Sequence, residues 1–206
     1  MREKLRGLYV IIDPELCAGR DETEIARAAL EGGARLLQLR DKQREKGLQL
    51  PVAAALQVVC RQHGALFFVN DHADLALAVG ADGVHLGQKD LPVSAVRRIA
   101  GRELLIGCST NNLEEARQAA ADGADYVSVG RLFETGSKTD TRAATLEMLH
   151  AIKAAVRVPV CGIGGINESN IASVIDTGAD MAAVISAVVA AEDVREAARR
   201  LVERFV

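Results

Sequence analysis

A chain of 206 residues suits a single domain spanning 1–206 with a sizeable core, near the lower end of the ~200 to over 400 residues of an eight-unit β/α barrel. Its 25 Lys and Arg against 28 Asp and Glu leave a net charge of −3, without the basic excess that points to nucleic acid, and its short, charge-interrupted apolar runs exclude a transmembrane helix. With aromatics at 3% and no Trp, the core is expected to be aliphatic.

The opening residues Met1-Arg2-Glu3-Lys4-Leu5-Arg6 lead straight into a strand-like run and lack a signal peptide's apolar region, so a cytoplasmic protein is expected. Strands are predicted at Leu8–Ile12, Leu36–Leu39, Leu66–Val69, Gly83–Leu86, Leu104–Gly107, Tyr126–Val129, Val158–Gly162 and Ala182–Ile185. Between them the pattern predicts helices such as Glu22–Glu31, Leu48–His63, Leu113–Ala121, Leu146–Val156 and Glu168–Thr177, with Val194–Phe205 closing the chain. Continuously apolar strands separated by helix-length segments imply parallel crossovers and helix-covered strands. Gly80-Ala81-Asp82, Gly123-Ala124-Asp125 and Gly178-Ala179-Asp180 each precede an even-numbered strand, and Gly33-Ala34-Arg35 occupies the same place earlier. Glycine is the natural left-handed stop after a helix, so its recurrence at every second unit suggests a barrel of βαβα quarters. The fold predicted is α/β, a single-domain (β/α)8 TIM barrel. The alternative, an open doubly wound sheet, lacks its G-x-G-x-x-G after the first strand. Cys17, Cys60, Cys108 and Cys161 lie far apart without C-x-x-C spacing and read as reduced cysteines in the core or at strand ends.

In such barrels the chemistry collects at the C-terminal ends of the strands. After strand two, Gln38, Arg40 and Lys42 alternate with Leu39 and Asp41, which projects two cations and an amide to one side as an anion clamp. A lone cation there would be an ordinary surface charge. Asn70 and Asp71 emerge from strand three, and Asp90 follows strand four. Each Asp read singly is a helix cap; facing each other, the two offer hard oxygen ligands to Mg²⁺, which takes one or two carboxylates, waters and substrate phosphate oxygens. His85 reads as a packed, hydrogen-bonded residue, and His63, His72 and His150 as helix-start or helix-surface residues. The run from Gly130 to Ala144 is the longest polar stretch without helix or strand character. Its Thr135-Gly136-Ser137-Lys138 suits an anion but lacks P-loop spacing. Gly164-Gly165 after strand seven and Ser186 after strand eight offer a backbone phosphate site, or only a tight turn.

Gln38-Leu39-Arg40-Asp41-Lys42, Val69-Asn70-Asp71, Ala81 to Gln88 with Asp90, Gly107-Cys108-Ser109, Gly123 to Val127, Thr135 to Lys138, Gly162 to Ile166 and Ile185-Ser186-Ala187 together resemble the thiamine phosphate synthase family, in order from Leu8 to about Ala187. The resemblance implies that Gln38, Arg40, Lys42 and Asn70 hold a pyrimidine diphosphate, that Ser109 and Lys138 contact its diphosphate, and that Asp71 and Asp90 bind Mg²⁺. It implies that Thr135, Gly136, Ser137, Gly165, Ile185 and Ser186 hold a thiazole phosphate. It also implies loss of diphosphate before attack by the thiazole nitrogen, with Arg40, Lys42, Ser109 and Lys138 as the catalytic set. The partners implied are these two small molecules, with no nucleic acid and no membrane; a homodimer is compatible. The family usually has Pro at the place of Arg131 and Thr-Pro-Thr-Lys at Thr135-Gly136-Ser137-Lys138. Two rivals share the fold. A thiazole tautomerase resembles the family but carries a His shortly after the strand-five Ser, where this chain has Asn111; a sensor would bind phosphate ligands without turnover.

Overall fold

The computed structural model describes residues 2–134 and 142–205. Its strands are β1 (Gly7–Ile12), β2 (Leu36–Leu39), β3 (Leu66–Asn70), β4 (Gly83–Leu86), β5 (Leu105–Thr110), β6 (Tyr126–Val129), β7 (Val160–Ile163) and β8 (Met181–Val184). The helices between and after them are α1 (Glu22–Glu31), α2 (Lys46–Gln62), α3 (Ala73–Val79), α4 (Val93–Ala100), α5 (Leu113–Ala121), α6 (Leu146–Ala155), α7 (Ile171–Ile175), α8 (Ser186–Val189) and α9 (Val194–Val202). Each strand pairs in parallel with the next and β8 closes on β1, so the sheet is a closed eight-stranded barrel in chain order.

Strand periodicity sorts the side chains into two layers. On β1, Leu8, Val10 and Ile12 face the helices and join an almost wholly aliphatic outer layer; Tyr9 and Ile11 face the barrel interior. The interior corrects the expected all-aliphatic core. Both tyrosines of the chain, Tyr9 and Tyr126, meet there with Phe68, ring centroids 5.6–6.2 Å apart in tilted and edge-on pairs. Gly83 and Gly107 make the room, since a Cβ at either would fall inside the ring of Phe68 or Tyr126. Replacing Gly107 with alanine should therefore destabilise the fold by about 1–3 kcal/mol through overpacking, read as a lower denaturant midpoint with an unchanged m-value.

The recurring Gly-Ala-Asp has a physical function beyond the stop. Gly33, Gly80, Gly123 and Gly178 all have positive φ. Each Asp then clamps the strand before it at two points. Asp82 Oδ2 accepts from Phe67 N (2.9 Å) while its own N donates to Phe67 O (3.0 Å). Asp125 does the same with Ile106 (2.8 and 2.7 Å), and Asp180 with Val160 (2.8 and 2.9 Å). Arg35, standing where the first quarter would have its Asp, keeps only the backbone bond, Arg35 N to Leu8 O at 3.1 Å. The clamps stitch β3 to β4, β5 to β6 and β7 to β8 at their N-terminal ends, leaving the opposite ends to carry function.

Several element boundaries differ from those predicted by one to three residues, and two of the shifts have a clear cause. β5 continues three residues past the predicted Gly107, because Ser109 and Thr110 pair with Ser128 and Val129. The helix predicted from Glu168 starts only at Ile171, since Asn167 and Asn170 form a turn in which Asn167 N donates to Asn170 Oδ1 (2.8 Å). All four cysteines are free and buried. No helix among the described residues is long and apolar enough to cross a membrane.

Candidate active site

Along the inward-facing positions polarity rises toward the strand C-termini: Leu36 gives way to Gln38, Phe68 to Asn70, Gly83 to His85, Gly107 to Ser109 and Tyr126 to Ser128. The aromatic layer thus floors a polar mouth. A cavity of about 790 Å³ opens there, lined on one side by Arg40, Lys42, Asn70, Asp71 and Asp90 and on the other by Gly164, Gly165, Ile185 and Ser186, with His85 and Ser109 between.

The predicted alternation after β2 holds: Arg40 and Lys42 line the cavity, and Asp41 turns away to bind Arg44 and the backbone N–H groups of Gln43 and Arg44. Arg40 is held in place by an ion pair with Asp13, which is 3% exposed at the end of β1. Sequence reasoning missed Asp13, because only the parallel pairing of β1 with β2 brings the ends of the two strands together. Gln38 sits one layer lower, 2% exposed, with its Nε2 donating to Tyr9 Oη (2.7 Å).

Asp71 and Asp90 do face each other. Asp71 has positive φ, +62°, and its carboxylate meets Lys42 and the Asp90 carboxyl. Helix capping does not account for either residue. The N-cap of α3 is His72 and that of α4 is Pro92, and neither makes a side-chain cap bond; the Asp90 Oδ2 accepts instead from Gly87 N (2.7 Å). Burial alone would raise the Asp71 carboxyl, but hydrogen bonds from Lys42 and Asp90 outweigh it and hold Asp71 below the ordinary carboxylate value. Burial and then the Asp71 charge push Asp90 upward. Among the described residues no three His, Cys, Asp or Glu side chains converge as a metal cage.

His85 is a link rather than a free base. Its Nδ1 lies 2.8 Å from Tyr126 Oη and its Nε2 2.9 Å from Ser109 Oγ, with Ser128 Oγ at 3.5 Å. Tyr126 Oη in turn lies 3.2 Å from Tyr9 Oη, which accepts from Gln38. One consistent set of donors follows: Tyr9 donates to Tyr126, Tyr126 to His85 Nδ1, and the Nε2–H to Ser109. Burial raises both phenols, which keeps them protonated as this order requires. The chain of bonds aligns Ser109 at the cavity from beneath.

On the far side, Gly164 and Gly165 have positive φ, and a Cβ on them would lie 2.7 Å from Arg131 Cα and 2.5 Å from Glu134 O. The segment after β6 lies directly on them, with Leu132 N donating to Ile163 O and Phe133 N to Gly164 O, both at 3.0 Å. The glycine pair is therefore more than a tight turn, since it seats a neighbouring loop as well as lining the cavity. Asn111 Nδ2 donates to Gly130 O (2.6 Å) and Arg142 O (2.9 Å), pinning the two ends of that loop. Arg142, a second residue that sequence reasoning missed, pairs with Glu115. Thr135, Gly136, Ser137 and Lys138 lie outside the described residues.

The sequence matches the thiamine monophosphate synthase family over residues 8–188, nearly the whole barrel. The chain belongs to that family. It is 50% identical over 197 residues to a thiamine-phosphate synthase of Moorella thermoacetica, covering 95% of this chain and 94% of that protein. A protein of the same name from Methanospirillum hungatei is 44% identical, with 97% and 98% covered. The solved thiamine phosphate pyrophosphorylase from Pyrococcus furiosus superposes with a TM-score of 0.91 at 45% identity, covering 99% of this chain and 96% of that one. The resemblance read from scattered motifs is thus a property of the full length, and it matches the eight-stranded barrel described above.

Proposed function

We propose that this member of the thiamine monophosphate synthase family is a magnesium-dependent transferase that joins a pyrimidine diphosphate to a thiazole phosphate, giving thiamine phosphate and diphosphate. The observation that carries the reading is the division of one cavity into two chemically different halves: Arg40, Lys42 and the facing pair Asp71 and Asp90 on one side, glycine backbone and Ser186 on the other. Full-length identity of 44–50% to proteins named for this activity supports it.

The donor set suits Mg²⁺. Two facing carboxylates repel unless a cation or proton lies between them, and hard oxygens with room for water and phosphate are what this ion takes. When bound to Asp71 and Asp90 it would neutralise charge on the diphosphate. Arg40, oriented by Asp13, binds the diphosphate and stabilises the charge that grows as the C–O bond breaks. Lys42, paired with Asp71, shares that task. Asn70 and Gln38 orient the pyrimidine from below, and Ser109, aligned by His85, donates to the diphosphate. Lys138, carried by the loop that Asn111 pins at its base, supplies a further charge to the leaving group. On the other side Gly165, Ile185 and Ser186, with Thr135, Gly136 and Ser137, hold the thiazole phosphate so that its nitrogen attacks the pyrimidinylmethyl cation. Loss of diphosphate before attack needs no general base, in keeping with a His85 already engaged at both ring nitrogens. Both substrates are soluble phosphates, which accords with a cytoplasmic enzyme.

The tautomerase reading finds no support at Asn111, whose amide holds the Gly130 and Arg142 carbonyls. Titration with each substrate alone and with both separates the readings. The synthase converts neither alone, the tautomerase converts the thiazole alone, and the sensor binds without turnover.

The division of the cavity carries its own prediction. Ser186→Ala should raise the KM for the thiazole phosphate at least about tenfold, the loss expected for a hydrogen bond to a charged group, while the KM for the pyrimidine diphosphate changes little. Equal rises in both would place the two substrates differently.

A further inference from the structure

We propose that Arg131 is a binding and specificity-determining residue for the phosphate of the second substrate, a role that deepens the function proposed above and rests on it. Nothing in that scheme uses this side chain, yet it lines the cavity on the glycine side. Its main chain is held from both directions: Arg131 N donates to Arg142 O (3.0 Å) and Arg131 O accepts from Ala144 N (2.8 Å). Its Cα and Cγ lie over the bare face of Gly164, 2.7 and 3.0 Å from where a Cβ would stand. The guanidinium stem therefore starts from a fixed point beside Gly164 and Gly165.

Three other cations at the cavity have carboxylate partners. Arg40 is paired with Asp13, Lys42 with Asp71 and Arg142 with Glu115. Arg131 is half-buried, and among the described residues no carboxylate lies within ion-pair distance of it. A cation on a concave wall with no counter-ion among the described residues favours an anionic ligand, and a planar guanidinium matches phosphate with two parallel hydrogen bonds. The neighbouring groups, glycine backbone and the Ser186 hydroxyl, are neutral donors that suit the same phosphate. Arg131 thus selects a phosphomonoester over the corresponding free alcohol, and does so on the side of the cavity away from the acidic pair.

Calorimetric titration of wild type, Arg131→Gln and Arg131→Lys tests this. The ligands are the thiazole phosphate, its unphosphorylated alcohol, magnesium diphosphate and inorganic phosphate. Arg131→Gln should weaken the thiazole phosphate and inorganic phosphate by about tenfold or more, the loss expected of a charge-assisted hydrogen bond. It should leave the alcohol and magnesium diphosphate unchanged, and Arg131→Lys should restore part of the loss. Near-equal affinity of Arg131→Gln and wild type for both phosphates overturns the assignment, as does equal weakening of magnesium diphosphate. Failure of the broader function looks different: the wild type would then bind inorganic phosphate through Arg131 but show no turnover with the two substrates together.

Discussion

Asp71→Asn and Asp90→Asn should each lower turnover by about 10²-fold or more, on the scale of losing a preorganised group that stabilises transition-state charge. The Mg²⁺ concentration giving half-maximal rate should rise in both. The fold should survive, because neither carboxylate caps a helix or fills the core; Asp90 accepts one turn N–H from Gly87, and Asp71 is held by Lys42. Circular dichroism and thermal melting of the variants separate lost chemistry from lost structure. A magnesium dependence identical to wild type in both would mean that the facing pair serves the Lys42 ion pair and the Gly87 turn alone.

Lys138→Ala should lower kcat by ~10²–10³-fold with little change in thermal stability, since loss of one donor aimed at developing charge has effects of that size. Lys138→Arg should recover only part, because a planar, longer guanidinium does not replace a compact ammonium. Single-turnover rates at saturating Mg²⁺ are the measurement, as they isolate the chemical step from product release. A Lys138→Ala enzyme within about threefold of wild type, far below the usual effect of such a donor, would remove Lys138 from the scheme.

The barrel itself was readable because its signals are local. Apolar runs of four to six residues recur with each strand, and a glycine stop precedes every second one, so each quarter announces itself. What was not local was misread or unseen. The predicted fifth strand stops at Gly107, whereas pairing with β6 carries β5 on to the Ser109 and Thr110 hydroxyls at the cavity. The helices α3 and α4, of 7 and 8 residues, are too short for periodicity to show and escaped the predicted set. Low aromatic content predicts an aliphatic core, but composition says nothing of placement, and three of the rings meet in the barrel interior.

The site divides in the same way. Alternation alone put Arg40 and Lys42 on one side, and the facing of Asp71 and Asp90 followed from neighbouring strand ends. Asp13, which orients Arg40, and Glu115, which engages Arg142, are ordinary acidic residues in the sequence; their partners lie 27 residues away in each case and meet them only when neighbouring β/α units pack side by side. His85 was read as packed and hydrogen-bonded, and it is, but the line of hydroxyls joining it to Tyr126, Tyr9 and Gln38 needs inward-facing positions on four strands at once.

The central claim is that one cavity brings the two substrates together for diphosphate displacement. Its most direct test is a rapid-quench time course with pyrimidine diphosphate, thiazole phosphate and Mg²⁺, scored for thiamine phosphate and diphosphate in the same samples. The two products should appear in equal amounts at the same rate, and omitting either substrate or chelating the metal should abolish both. Conversion of the thiazole phosphate in the absence of the pyrimidine diphosphate, or binding of both substrates with neither product formed, would contradict it.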